Sequence, residues 1–543
     1  MPRKPISSPI RNPQPYMRLQ SSRKQTLAES RINGGMVTTI DPADLPPNVL
    51  QMARNVNVRF DKIMRRPGSR LFMPDPPNVS PVLKLAAFKK KNGNIYTLRM
   101  TPNGIHEHTN AEWLPYAGTL NGSTFDRFQT AIVLDEFVFS NNGADYIQRI
   151  DPEAKTFSRL GNAPQYRYIT GFYNRVVGAA RINDNEVEVG WSADGHSDIW
   201  SSDDDETAGS SPILESPADL ADWITGIFAF TNVMVLLRER SVWLVTKQPI
   251  PTNPFNFYTA VPGIGCDSPH SAAIVSGGIA WLDRRTGTVY AYSPGAAPEP
   301  IGRPIENRIL QNVEDPHHIF STYAPVQNEY AVCIPQVGTD RVAVWTYSFR
   351  YKTWVFHEQL GIVSANDADL SEGALTIDQL GDTPIDELVG TIDSLGPADD
   401  TLTVRAYGRD NGDIAIEDER EIVDAGYTLF QKATGGATFD SEYISKVFTL
   451  TELDEYISEV RVEYSAMSSD PIKLYVSFNG GATSDSWRLV KEATAEALGE
   501  PQLLIHRKFY RCRKFAFKVV TTAAEFAMLS FEVHYYPSGR SNE

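Results

Sequence analysis

From about residue 80 to residue 358 the chain is a succession of clusters of short apolar strands, and this repeat restricts the fold more than any other feature. The clusters read LKLAAFKKKNGNIYTLRMTPNGIHEH, FQTAIVLDEFVFSNNGADYIQRIDPEAKTFSRL, YITGFYNRVVGAARINDNEVEVGWS, WITGIFAFTNVMVLLRERSVWLVT, SAAIVSGGIAWLDRRTGTVYAYS and HIFSTYAPVQNEYAVCIPQVGTDRVAVWTYSFRYKTWVFHE. Each holds three or four runs of β-branched and aromatic residues split by Gly, Asn, Asp and Pro, with almost no helical periodicity. They start roughly every 40 to 55 residues, the spacing of propeller blades. A lone antiparallel sheet of this size cannot cover its own two apolar faces, whereas a ring of them covers each by the next. The expectation is an all-β chain built on a β-propeller of about six or seven blades. In VAVWTYSFRYKTWVFHE, Trp354 and Phe356 are read as packing between blades.

The flanks differ. Residues 1–30 are basic, Pro-rich and without apolar periodicity, which predicts an extended or disordered arm. Residues 31–79 predict a short helix around Asn48 to Arg54, opened by Pro47, then a strand from Asn55 to Phe60 and a turn and second strand in MRRPGSRLF. Residues 359–440 are acidic and rich in Gly and Asp, the pattern of an insertion with an irregular last blade. From 441 to 543 the strands lengthen and alternate (YISEVRVEYSA, PIKLYVSFNGG, FAMLSFEVHYY), which predicts a C-terminal β-sandwich platform.

Composition narrows the chemistry. A chain of 543 residues with 41% hydrophobic and 22% charged side chains is globular and exceeds one core. No apolar run reaches 18 residues and no apolar segment follows the basic start, so neither a membrane span nor a secretory signal is expected, and the expected compartment is a cytosol. Cys266, Cys333 and Cys512 lie far apart without C-x-x-C spacing and are expected as buried thiols. A net charge of −16 opposes a surface that grips nucleic acid by neutralising phosphates.

VGWSADGHSDIWSS approaches the Asp-box turn of sugar-cleaving propellers through Ser192, Asp194, Gly195 and Trp200, but Gly follows Asp directly and Trp comes one residue late. Even a perfect box is a folding turn, so a blade corner is expected. A glycosidase needs paired carboxylates, or a Tyr nucleophile with an Arg cluster, and spacing locates neither. His106 and His108 share one strand face, yet two ligands are too few for a metal, and an exposed polar face is expected. His317 and His318 would point to opposite faces if extended. Asp203, Asp204, Asp205 and Glu206 lack the glycine of an EF-hand loop and read as solvated. No phosphate-binding glycine loop occurs. No cofactor, metal or catalytic set is therefore expected. Arg65, Arg66 and Arg70 form the densest basic cluster, expected to contact a neighbouring subunit or, less well, DNA.

Four stretches carry a family resemblance. The first, RINGGMVTTIDPADLPPNVLQMARNVNVRFDKIMRRPGSRLF, holds Gly34-Gly35, Asp41, Leu45-Pro46-Pro47, Asn55-Val56 and Arg65-Arg66-Pro67-Gly68. The second, GIGCDSPHSAAIVSGGIAWLDRRTGTVYAY, holds Gly265-Cys266, Ser268-Pro269, Gly277-Gly278 and Gly287 to Tyr290. With the WS...D...W turn and the closing SFEVHYYPSGR, they resemble the tail nozzle proteins of short-tailed bacteriophages, also called tail tubular protein B or packaged-DNA stabilisation proteins. The resemblance implies a structural virion protein, not an enzyme, assembled in the host cytoplasm and resident in the virion tail. It implies a homo-oligomeric ring, typically a hexamer, stacked below the portal and adaptor rings, with tail fibres or a needle as further partners. The ring would retain the packaged genome and then conduct the double-stranded DNA.

The segment 359–400 and the acidic loop 203–206 have no counterpart in that family. Both sit in long connections, 201–220 and 359–400, of the kind that narrow channels. Asp203, Asp204, Asp205 and Glu206, with Asp378, Asp382, Asp386 and Glu387, are the residues expected to narrow an acidic or neutral bore that repels the passing strand. The competing readings are a sialidase-like glycosidase or lyase acting on host surface glycan, and a monomeric propeller scaffold.

Overall fold

A computed structural model of the chain describes residues 24–29, 31–72, 79–109, 112–182, 186–214, 221–371, 401–418, 424–425, 436–450, 455–481 and 484–536. Its architecture is all-β: a propeller joined to a sandwich, with a single four-residue α-helix, Glu306–Ile309, among those residues.

The propeller has seven blades, and six follow in chain order. Their innermost strands are Lys84–Lys89, Phe128–Val133, Tyr166–Phe172, Ile224–Ala229, Ala273–Val275 and Phe320–Ala324. Middle strands such as Val233–Arg238 and Gly278–Asp283 are apolar on both faces because both faces are covered by neighbouring blades. Tight turns set the registers. Leu134-Asp135 and Tyr173-Asn174 each place two successive residues at positive φ, which matches strand twist in a two-residue hairpin.

The ring does not close at residue 358. Its seventh blade consists of Ile362–Ser371, Thr401–Arg409 and Ile414–Asp418, completed on the outside by Gly68–Leu71 from near the N-terminus. Gly68 pairs with Asp418 and Leu71 with Ala415. Separate apolar clusters fill the gaps between blades, including Phe88 with Phe139 between one and two, Leu85 with Ile416 between seven and one, and Val344 with Tyr407 between six and seven. The segment read as an acidic insertion is thus entered and left through the inner hairpin of a regular blade.

The sandwich also borrows from the N-terminus. One sheet holds Glu455–Ser465, Gln502–Cys512 and Ala527–Tyr536 together with Val56–Arg59 and Lys62–Arg65. Gln25–Glu29 adds to the same sheet by pairing with Ala527–Tyr536, so the end of the expected arm is a strand. The other sheet contains Leu50–Arg54, where a helix was expected. Pro47 and the apolar spacing suit either element, and the partner Ser441–Ser445 decides, pairing Met52 with Ile444 and Ala53 with Tyr443. Arg54 also pairs with Phe356, the outer strand of blade six. Blade six and this half of the sandwich therefore form one ten-stranded sheet. Trp354 is buried in the core that the two share, its indole N–H donating to the Ile301 carbonyl at 2.7 Å.

Candidate functional site

Three places concentrate charged or unusual side chains. The first is the junction between propeller and sandwich, where Arg65 and Arg66 lie. Both are buried, 6% and 3% exposed, and both guanidiniums stack on the Phe439 ring at 4.1 and 3.8 Å. Arg65 donates to the Phe439 carbonyl at 3.1 Å; Arg66 donates to Asn55 Oδ1 at 3.3 Å and to the Pro67 carbonyl at 3.0 Å. Neither is presented to a neighbouring subunit or to DNA, which corrects the sequence expectation. The cluster is dense because the chain turns there from sandwich strand to blade seven, and planar guanidiniums satisfy the carbonyl of Pro67 in the turn and that of Phe439 packed over it. Arg70 is half-buried on the outer strand of blade seven.

The second place is the connection between the outer two strands of blade three, Glu188–Trp191 and Gly209–Pro212. Ser192 Oγ accepts from the Val176 N–H at 3.0 Å, and the buried Arg175 donates to the carbonyls of Ser192 and Thr207, each at 2.7 Å. Gly195 turns at φ +76, and Trp200 donates to the Ser197 carbonyl at 2.9 Å and packs on Tyr166. Asp194 is exposed and 3.7 Å from Arg175. The Asp-box likeness is a corner of the blade. Asp203, Asp204 and Glu206 are exposed on the same connection. Asp205 accepts from the Thr207 N–H and hydroxyl at 2.8 and 2.7 Å, and these bonds, led by the hydroxyl, hold its carboxyl below the usual range. A link between outermost strands stands at the rim, away from the propeller's own axis. Asp378, Asp382, Asp386 and Glu387 lie outside the described residues.

His106 and His108 are not on an exposed face. His106 is buried, and burial with Arg99 nearby lowers it to about 4; His108 packs against Phe72 and Trp113. Both faces of a middle strand are interior in a propeller, so polar residues there carry no information about solvent. His317 and His318 sit on a 3-10 turn, Pro316–His318, instead of a strand. Cys266, Cys333 and Cys512 are buried free thiols.

The third place, which no local motif announces, is the axis of the propeller. A cavity of about 350 Å³ is lined by residues of all seven blades, among them Lys84, Arg127, Gln129, His270, Ser321 and Asn366. Arg127 hydrogen-bonds the Val363 carbonyl, and its guanidinium lies 4.9 Å from the Phe320 ring centroid. Burial draws Arg127 down to about 10 and His270 to about 3, the latter helped by Arg127, His317 and Arg167. None of the described lining residues is a carboxylate. The acid pair or Arg triad of a glycosidase is not assembled by these residues. These groups come from blades far apart in sequence, and their shared trait is a position at or before an innermost strand, a signal visible only once the ring is drawn.

Fold and cavity together define a seven-bladed propeller protein with a fused β-sandwich. No protein-family model and no curated protein matches the chain. Among solved structures it is similar to virginiamycin B lyase from Staphylococcus aureus, at 9% identity and a TM-score of 0.36 over 62% of this chain and 94% of that one. A streptogramin B lyase gives 10% and 0.35 over 64% and 96%, and YCF48 bound to D1 peptide gives 10% and 0.36 over 65% and 97%.

Proposed function

We propose that this chain is a non-enzymatic structural subunit of a bacteriophage tail nozzle: a ring, hexameric by the family resemblance, below the portal and adaptor that retains the packaged DNA and then conducts it. The observation that supports this reading best is the ten-stranded sheet shared by blade six and the sandwich. A conduit wall must transmit load between a part that docks to the tail and a part that faces the exit. The two parts are joined where Arg54 pairs with Phe356 and the Asn55 N–H donates to the Phe356 carbonyl at 2.7 Å, and a hinge there would have to break these backbone contacts. The second support is charge. At −16 per chain a ring repels DNA and does not hold it. The wide bore belongs to the assembled ring, since the propeller's own axis is too small for a duplex.

Antibodies raised against the purified chain should label the tail of particles produced by the phage that encodes it, and negative-stain images of those tails should show the chain in a six-fold ring. Particles that lack the chain, or turnover of host polysaccharide that is lost on changing one carboxylate, would overturn the reading in favour of an enzyme.

A further inference from the structure

The axial cavity collects charge of one sign. Lys84, on the first strand of blade one, is lowered by burial, with no carboxylate among the described residues offsetting it. Arg127, entering blade two, is 8% exposed and spends one donor on the Val363 carbonyl, while its Nε has no partner. His270, before blade five, adds two ring nitrogens to the same lining. Burying cations without counter-charge is costly, and folded chains normally pair them. Elsewhere this chain does so: Arg405 meets Glu329 and Glu417, and Arg238 meets Asp222. At the axis, no carboxylate is among the described lining residues. The axis is also reachable, since Lys84 and Gln129 are half-buried and Ile274 on its lining is 49% exposed. Gln129, Ser321 and Asn366 add neutral donors around the cations.

We infer that the axial cavity binds a small, multiply charged oxyanion of the pyrophosphate class, with Lys84 and Arg127 as its charged ligands and His270 as a further donor. The volume holds on the order of ten waters, enough for such an anion and far too little for a nucleic-acid helix. Charge-assisted hydrogen bonds to the anion would replace the missing counter-charge and tie blades one, two and five to one central ion. The site does not depend on ring assembly, so it stands or falls apart from the proposed conduit.

The test uses the full chain and sodium pyrophosphate as the probe, followed by titration calorimetry and by thermal melting against sodium chloride of matched ionic strength. Saturable one-to-one binding and a rise in melting temperature beyond the salt control are expected. Lys84→Met should weaken binding by about tenfold or more and abolish the pyrophosphate-induced rise. It should itself melt no lower than the parent in plain buffer, because it deletes a half-buried cation that has no carboxylate among the described lining residues. Lys84→Arg should retain binding within a few-fold, and His270→Gln provides a second variant should Lys84→Met fail to fold. The absence of heat and of stabilisation beyond the salt control would overturn the inference. So would undiminished binding by Lys84→Met, or by His270→Gln if that variant takes its place.

Discussion

Arg405 on blade seven reaches Glu329 on blade six at 3.4 Å, with the side chains 3% and 6% exposed. The same guanidinium lies 3.6 Å from Glu417, which also accepts from the Tyr407 hydroxyl at 2.8 Å. Burial raises the Glu329 carboxyl despite Arg405, while the two glutamates raise Arg405 itself. The asymmetry follows from one cation divided between two acids. Replacing Arg405 leaves both carboxylates buried without a counter-charge, so Arg405→Met should cost about 3–5 kcal/mol in urea unfolding. Glu329→Gln, which leaves Arg405 paired with Glu417, should cost distinctly less. Equal losses from the two changes would show that the pair does not work as a shared cation.

Blade three is packed around one tyrosine. A β-carbon on Gly178 would lie 2.4 Å from the Tyr166 ring, and one on Gly190 would lie 2.1 Å from its hydroxyl, which donates to Glu188 at 3.0 Å. Gly178→Ala should therefore destabilise by about 1–3 kcal/mol through overpacking. Combining it with Tyr166→Leu should recover part of the loss, a non-additivity that thermal melting of the single and double variants would reveal.

Acid should weaken the sandwich through Glu459. Hydrogen bonds from Arg461 foremost, at 2.9 Å, with Arg507 at 3.0 Å and Lys24 at 3.4 Å, pull this carboxyl down to about 2. A carboxyl lowered on folding contributes stability that is present above its unfolded range near 4.5 and is lost as the pH falls toward 2. The melting temperature of the parent should drop across that window more steeply than that of Glu459→Gln, and parallel curves would refute the assignment.

Deleting residues through Ser30 should lower the melting temperature. The deletion removes Gln25–Glu29 and strips the strand from Phe531 to Tyr535 of a partner, including the 2.8 Å contact between Thr26 and His534. An arm without structure would have been removable at no cost to the fold. Circular dichroism melts of the truncated and full chains decide between the two.

The all-β class, the blade repeat and the alternating strands of the sandwich were legible in the sequence because each rests on short-range chemistry: strand-forming runs a few residues long, and turns that need Gly, Asn or Asp at particular φ. The blade corner at Ser192 to Trp200 was legible for the same reason. Blade number, closure and the fate of the arginines were not, since they depend on partners hundreds of residues apart. Ser69 pairs with Glu417 and Arg54 with Phe356, and no periodicity records which distant strand completes a sheet. Leu50–Arg54 became a strand because Ser441–Ser445 offered it a ladder, overriding a local pattern that suited a helix. Arg65 and Arg66 became interior groups because Phe439 folded over them. Lys84, Arg127 and His270 became one site only when the ring closed and brought its innermost strands around a common axis.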